Sequence, residues 1–296
     1  MRALRQRWEA LSGNVRGAVF ILIASTGFPA MAVLSRILGE RLHSFEISLA
    51  RAFFGFVFIL PLFWREGPAL LATRMPGRHI LRACLGTMGM MTAFYAFNNL
   101  PLADAIALSF AKPLFMVILA ALVLHESVHR RRWTATAIGF AGVIIMLRPQ
   151  GGFIDPAALV AVSNALFAAS VAILIKQLVA TERKATILAY LGIVSTILTA
   201  IPTWFVWLTP TPHEIVLMAM MAGIGSLSQI ALMHGFKLGE ASALAPFDYA
   251  RLPVAAIYGA VLFSEWPDIH TFLGAAVIVV STFYLARLEH RRSSGP

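Results

Sequence analysis

The chain has 296 residues, 59% of them hydrophobic and 13% charged, with a mean hydropathy of +0.78. A soluble domain carries ~25% charged residues, so a soluble enzyme is excluded and a polytopic membrane protein is expected. The net charge of +10 does not mark a nucleic-acid binder, because the Lys and Arg residues sit in short breaks between apolar runs.

The N-terminal segment carries Arg2, Arg5, Arg7 and Arg16 and leads into an apolar run at 17–38. A bilayer core needs ~20 helical residues, so this run reads as a retained first span with a cytoplasmic basic flank, not a cleaved signal. Nine more runs follow, at 46–64, 79–99, 104–124, 133–148, 156–178, 186–208, 214–236, 241–263 and 270–287. The breaks "NNLPLAD", "RPQGGFIDP", "TPTPHE" and "SEWPD" carry turn residues. Alternating the spans from a cytoplasmic N-terminus puts 18 of the 24 Lys and Arg inside and three, Arg36, Arg41 and Arg148, outside. Arg51, Lys112 and Arg251 fall within spans. That asymmetry places both termini in the cytoplasm. The single cysteine, Cys84, excludes an intramolecular disulfide.

The sequence divides into two halves, 1–150 and 151–296. Phe20–Leu38 aligns with Leu159–Leu178, setting Arg36 over Lys176. The fourth span aligns with the ninth, with Asp104 over Glu240, Pro113 over Pro253 and Glu126 over Glu265, after a short insertion near 246–251. Five spans per half is an odd number, so the halves enter the membrane in opposite senses. The expected fold is all-α, ten transmembrane helices in two inverted five-helix repeats around a central cavity.

One motif points elsewhere. His125, Glu126 and His129 form H-E-x-x-H, which on a helix sets two imidazoles on one face beside a glutamate, as in zinc metalloproteases. The repeat argues against it, since "LFSEWPD" around Glu265 has no histidine. A catalytic zinc also needs a third protein ligand, and none is indicated. The plainer reading is a surface histidine pair plus a glutamate that caps or salt-bridges the next helix. No P-loop or dinucleotide fingerprint is present, so no metal, cofactor or ATP coupling is expected.

The doubled pattern of Pro113 with Glu126 and Pro253 with Glu265 resembles the EamA family of the drug/metabolite transporter superfamily. Each copy is followed by a glycine-bearing final span, and Arg51 in "EISLARAFFGF" matches an arginine near the start of that family's second span. The stretch Leu244–Pro253 is similar to the branch that includes a bacterial exporter of aromatic and other neutral amino acids. The resemblance implies a transporter rather than an enzyme, in a bacterial inner membrane, with a cavity lined by spans 1, 3, 4, 6, 8 and 9 and with spans 5 and 10 peripheral. It implies export of a small-molecule substrate through alternating access, an amino acid in the first reading, with drugs, nucleosides or sugars as the alternative. Monomer and homodimer both stay open, and the other partner is the lipid bilayer.

Polar groups in mid-span are costly and usually face a cavity or a partner. The candidate substrate-binding residues are Lys112, Tyr95, Asn98, Asn164, Phe167, Gln229, Asp248 and Tyr249. Lys112 precedes Pro113, which frees backbone carbonyls nearby. It is read either as the receptor of a substrate carboxylate or as the ion-pair partner of Asp248. Asp248 and Arg251 lie at i and i+3, so they also have the option of neutralising each other. Pro29, Pro113 and Pro253 are the candidate hinges. Gly86, Gly89, Gly139, Gly142, Gly223 and Gly225 are read as close-packing sites.

Overall fold

A computed structural model describes residues 11–57, 60, 67–125, 128–148, 154–179, 182–239 and 241–293. Among these residues the chain forms twelve α-helices and one 3-10 turn, Gly67–Leu71. The first half holds α1 (Gly13–Gly39), α2 (Ser44–Val57), α3 (Pro76–Asn99), α4 (Leu102–Ser109), α5 (Lys112–Val123) and α6 (Arg130–Leu147). The second holds α7 (Pro156–Val179), α8 (Lys184–Val206), α9 (Pro212–Leu238), α10 (Ala241–Asp248), α11 (Arg251–Phe263) and α12 (Ile269–Ser293). Counting α4–α5 and α10–α11 as one broken span each gives the ten expected.

Local chemistry sets the starts. Pro76, Pro156 and Pro212 each open a helix, where the missing N–H leaves no bond unmade. Ser12 accepts the Val15 N–H at 3.4 Å. At α9, Thr211 and Glu214 form a reciprocal capping box. Seven helical segments of the described residues are long and apolar enough to cross a membrane. The remaining spans fall short for visible reasons: α6 opens on Arg130–Arg132, α10–α11 carries Asp248 and Arg251, and α2 runs into residues outside those described. Trp204, Trp207 and Trp266 near helix ends are all exposed, as an interfacial belt requires.

Packing is reciprocal between the halves. Helix α1 lies along α9, and α3 along α7; α2 meets α8, and α6 meets α12. Exchanging the halves maps each of these pairs onto another or onto itself. The tightest crossings rest on glycine. A Cβ on Gly17 would lie 2.9 Å from the Gly235 carbonyl oxygen, and one on Gly142 2.8 Å from that of Gly274. Such approach brings backbones together where lipid supplies no hydrophobic drive. Gly139 sits against Leu114, Gly89 against Phe167 and Gly225 against Met31. Gly223 has nothing within 4 Å of its would-be Cβ, so its small size serves no packing there.

The helix ends gather in two faces. On one, each of the three arginines expected outside meets a carboxylate. Arg41 pairs with Glu214, Arg148 with Asp268, and Arg36 with Glu265. Thr271 donates to Asp104 at 2.5 Å, and the Glu46 carboxylate accepts the Leu208 N–H. The two chain ends, at the start of α1 and the end of α12, lie on the opposite face.

On that opposite face Glu182 joins the α7–α8 turn to the segment before α3. Its carboxylate lies 3.5 Å from His79 Nε2, and His79 stacks on Tyr190 with ring centroids 4.8 Å apart. Partial burial pushes the Glu182 carboxyl up, but hydrogen bonds from Thr73 and the Arg74 backbone, with the His79 imidazole beside it, outweigh it and hold the group below its ordinary 4.5. The folded state therefore binds this proton less tightly than the unfolded state. The joint's contribution is complete above the unfolded value and is lost as pH falls through the lower folded value. Thermal unfolding in detergent is expected to show Tm falling as pH drops through and below the unfolded value of 4.5, with a shallower fall in Glu182→Gln.

Candidate functional site

The site begins at the two helix breaks. Pro113 has no N–H for the Ser109 carbonyl, and Pro253 none for the Tyr249 carbonyl. The chain responds by tightening. Phe110 and Ala111 N–H turn back to Ala107 and Leu108, each at 3.1 Å, and Leu252 N–H reaches Tyr249 at 3.0 Å. Ser25 of α1 donates to the Phe247 carbonyl at 3.1 Å, which also accepts the Ala250 N–H at 3.2 Å, so α1 is tied to the backbone at the break.

After each break the second segment restarts on a cation, Lys112 in α5 and Arg251 in α11. Arg251 is neutralised. Its Nε donates to Asp248 Oδ1 at 2.9 Å and its Nη2 meets both carboxylate oxygens. The guanidinium also lies 5.0 Å from the Phe28 ring centroid and 5.9 Å from that of Phe110, within cation–π range. Lys112 has no hydrogen-bond or ion-pair partner among the described residues. Of the two sequence readings for Asp248, the internal pair with Arg251 is the one formed.

These groups face a cavity of ≈ 650 Å³, within the ~300–1,000 Å³ of small-molecule sites. Lys112, Asp248 and Arg251 line it together with Asn164, Gln229 and Tyr249. Phe28, Phe97, Phe110 and Phe236 supply most of its aromatic wall. The contributing spans are the first, third, fourth, sixth, eighth and ninth, while α6 and α12 pack on each other outside. Tyr249 is fixed by a 2.5 Å hydrogen bond to Thr282 and by an edge contact with Phe110. Asn164 donates to the Gly89 carbonyl at 2.6 Å. The lining runs from Ile106 near the carboxylate–arginine face to Phe236, two residues before the end of α9.

Three sequence candidates lie away from the lining. The Asn98 amide is held by Ser35 at 3.1 Å and Ser44 at 3.3 Å, where it fills the space over Gly39. Tyr95 packs into the main apolar core. Phe167 fills the α3–α7 crossing against Gly89. In exchange the cavity takes Phe28, Phe97 and Phe110. Aromatic type alone does not reveal which side of a helix faces a cavity; about 100° of rotation about the axis separates each residue from the next.

The hinge candidates also separate. Pro113 is the second residue of α5 and lines the cavity. Pro29 lies buried within an unbroken α1. Pro253 is exposed at the third position of α11, so the break falls before it, between Asp248 and Arg251.

The H-E-x-x-H spacing does not form on a helix. Helix α5 ends at Val123, His125 has a left-handed φ of 51°, and His129 is the N-cap of α6, accepting the Arg131 N–H. Glu126 lies outside the described residues. Its repeat counterpart Glu265 is placed: it pairs with Arg36 and accepts the Leu102 N–H at 3.0 Å. Glu265 therefore both caps and bridges, across the halves to α4 and α1.

The sequence profile of the EamA-like transporter family matches this chain twice, over residues 15–148 and 155–287. The S-adenosylmethionine uptake transporter of Rickettsia felis is 34% identical over 97% of each chain. The riboflavin transporter of Rhizobium johnstonii is 31% identical over 96% of this chain and 95% of its own. The pseudopaline exporter of Pseudomonas aeruginosa is 29% identical over 92% of this chain and 96% of its own. A solved crystal structure superposes with a TM-score of 0.60 at 19% identity, covering 96% of this chain and 99% of that one, and shows the same fold. A duplicated helical chain with a cavity at two broken helices, matched twice by one profile, belongs to the EamA-like transporter family of the drug/metabolite transporter superfamily, a multi-pass membrane protein that carries small metabolites.

Proposed function

We propose that the protein carries amino-acid-class metabolites with an aromatic or heteroaromatic body across a bacterial inner membrane, with S-adenosylmethionine the first candidate. The observation that carries this reading is the cavity itself, which sets one unpaired ammonium, one carboxylate and an aromatic wall around a single space. S-adenosylmethionine unites both sequence and kinship, being an α-amino carboxylate and the named substrate of the Rickettsia relatives. The halves 1–150 and 151–296 are inverted copies, and rocking between them exposes the site alternately. The termini face the cytoplasm by the Lys and Arg asymmetry, so the cavity, reaching Phe236, is open inward. Transport follows the substrate gradient. Export as the sole direction is not favoured, since the relatives' names include both uptake and export.

The test is uptake into proteoliposomes of labelled S-adenosylmethionine, phenylalanine and riboflavin, with and without a strong zinc chelator. Saturable, chelator-insensitive uptake of S-adenosylmethionine or phenylalanine is expected. Uptake confined to riboflavin, or none that saturates, overturns the substrate reading and leaves the family untouched.

A further inference from the structure

We infer that Lys112 is the seat of a substrate carboxylate, and that Ser109 leaves it free for that task. The inference rests on the transport reading above and names the chemical class taken by the same cavity.

The two broken helices are built to one plan. Helices α4 and α10 each have eight residues. Each is followed by a two-residue break, and each second segment opens on a cation. The closing residue of the first segment therefore stands three positions before that cation in both halves. In the second half it is Asp248, and it neutralises Arg251. In the first half it is Ser109, whose hydroxyl donates to the Ile106 carbonyl at 2.6 Å. A hydroxyl cannot cancel an ammonium, so the same frame that pairs Arg251 leaves Lys112 uncompensated. Aligning Pro113 with Pro253 hides this, because it sets Lys112 over Leu252. Only the positions of the breaks reveal that Lys112 and Arg251 are equivalent.

Among the described lining residues, the cavity wall thus holds two positive groups and one negative one. An unpaired charge in mid-span is unfavourable, and an incoming carboxylate relieves it through a charge-assisted hydrogen bond. Asp248 retains free lone pairs after binding Arg251, so it can also accept an ammonium. Phe28, Phe97 and Phe110 offer apolar faces to the rest of the molecule. The ligand class is an aromatic or heteroaromatic α-amino carboxylate. A flavin, lacking the carboxylate, is outside it.

The experiment measures equilibrium binding to the purified full chain. Probes are phenylalanine and S-adenosylmethionine, each beside its decarboxylated form. Lys112→Met is expected to weaken the carboxylates about tenfold to a hundredfold, with the decarboxylated probes little changed. Lys112→Arg is expected to restore most of the loss. Ser109→Asp, which rebuilds the Asp248–Arg251 arrangement around Lys112, is expected to mimic Lys112→Met without removing the lysine. Equal carboxylate binding by wild type, Lys112→Met and Ser109→Asp overturns the assignment. So does wild-type protein that binds decarboxylated and intact probes alike, with the transport reading left standing. Wild-type protein that binds neither intact probe overturns the transport reading, and the assignment falls with it.

Discussion

Arg251→Met is expected to abolish transport by diverting Lys112 rather than by emptying the cavity. With the guanidinium gone, Asp248 is left unpaired in mid-span, and the one other cation on the same cavity wall is Lys112 among the described lining residues. The ammonium moves to the carboxylate and the substrate loses its seat. Removing one partner of a buried pair costs ~3–5 kcal/mol. Here the side chains are 21% and 24% exposed, so the low end applies. Tm should fall and substrate binding should weaken at least about tenfold. The double variant Arg251→Met/Asp248→Asn separates the causes. It removes both charges and leaves Lys112 alone, so Tm and part of the binding should return. If Arg251 itself seats the substrate, the double variant stays inactive however well it folds. Thermal unfolding and proteoliposome uptake on the three proteins decide between these outcomes.

The sequence carried the architecture well because hydropathy and charge report solvent. Ten runs, the loop charges and the duplicated Pro–Glu spacing were all legible, and the six cavity-lining spans match those the family resemblance implied. What sequence could not carry is rotation about a helix axis and the position of a break. Tyr95, Phe97 and Asn98 are consecutive or nearly so on α3, yet only Phe97 lines the cavity. On α3 the polar Asn98 turns to Ser35 and Ser44, so polarity in the sequence does not mark the cavity side. Pro113 and Pro253 signalled that the helices are interrupted. The interruptions lie before them by different distances, one residue in the first half and two in the second, so the equivalence of Lys112 with Arg251 was invisible in a proline-based alignment.

Glu265→Ala is expected to shift the protein toward a state open at the carboxylate–arginine face. Glu265 ties three helix ends at once. It pairs with Arg36 at the end of α1, accepts the Leu102 N–H at the start of α4, and itself follows α11. Arg36 is held there by the Leu100 carbonyl at 2.7 Å and by the Phe263 ring at 4.9 Å. These contacts span the two halves, so a state in which the halves part on this side must lose them. A contact made in one state and absent in the other sets their relative populations. Losing a charge-assisted hydrogen bond of ~1.5–3 kcal/mol raises the other state about tenfold to a hundredfold. The reporter is a cysteine replacing Ile106, which is 5% exposed and lines the cavity close to this face. It is placed in a Cys84→Ser background, since Cys84 is the chain's one cysteine. Labelling of intact cells by a membrane-impermeant maleimide should accelerate in Glu265→Ala. An unchanged rate would show that the joint does not hold this face shut. Arg36→Gln apportions the joint: it removes the ion pair but leaves Glu265 on the Leu102 N–H. A smaller acceleration there assigns the remainder to the cap on α4, which is the contact that holds the first segment of the broken helix, and through it the break at Lys112, in its present position.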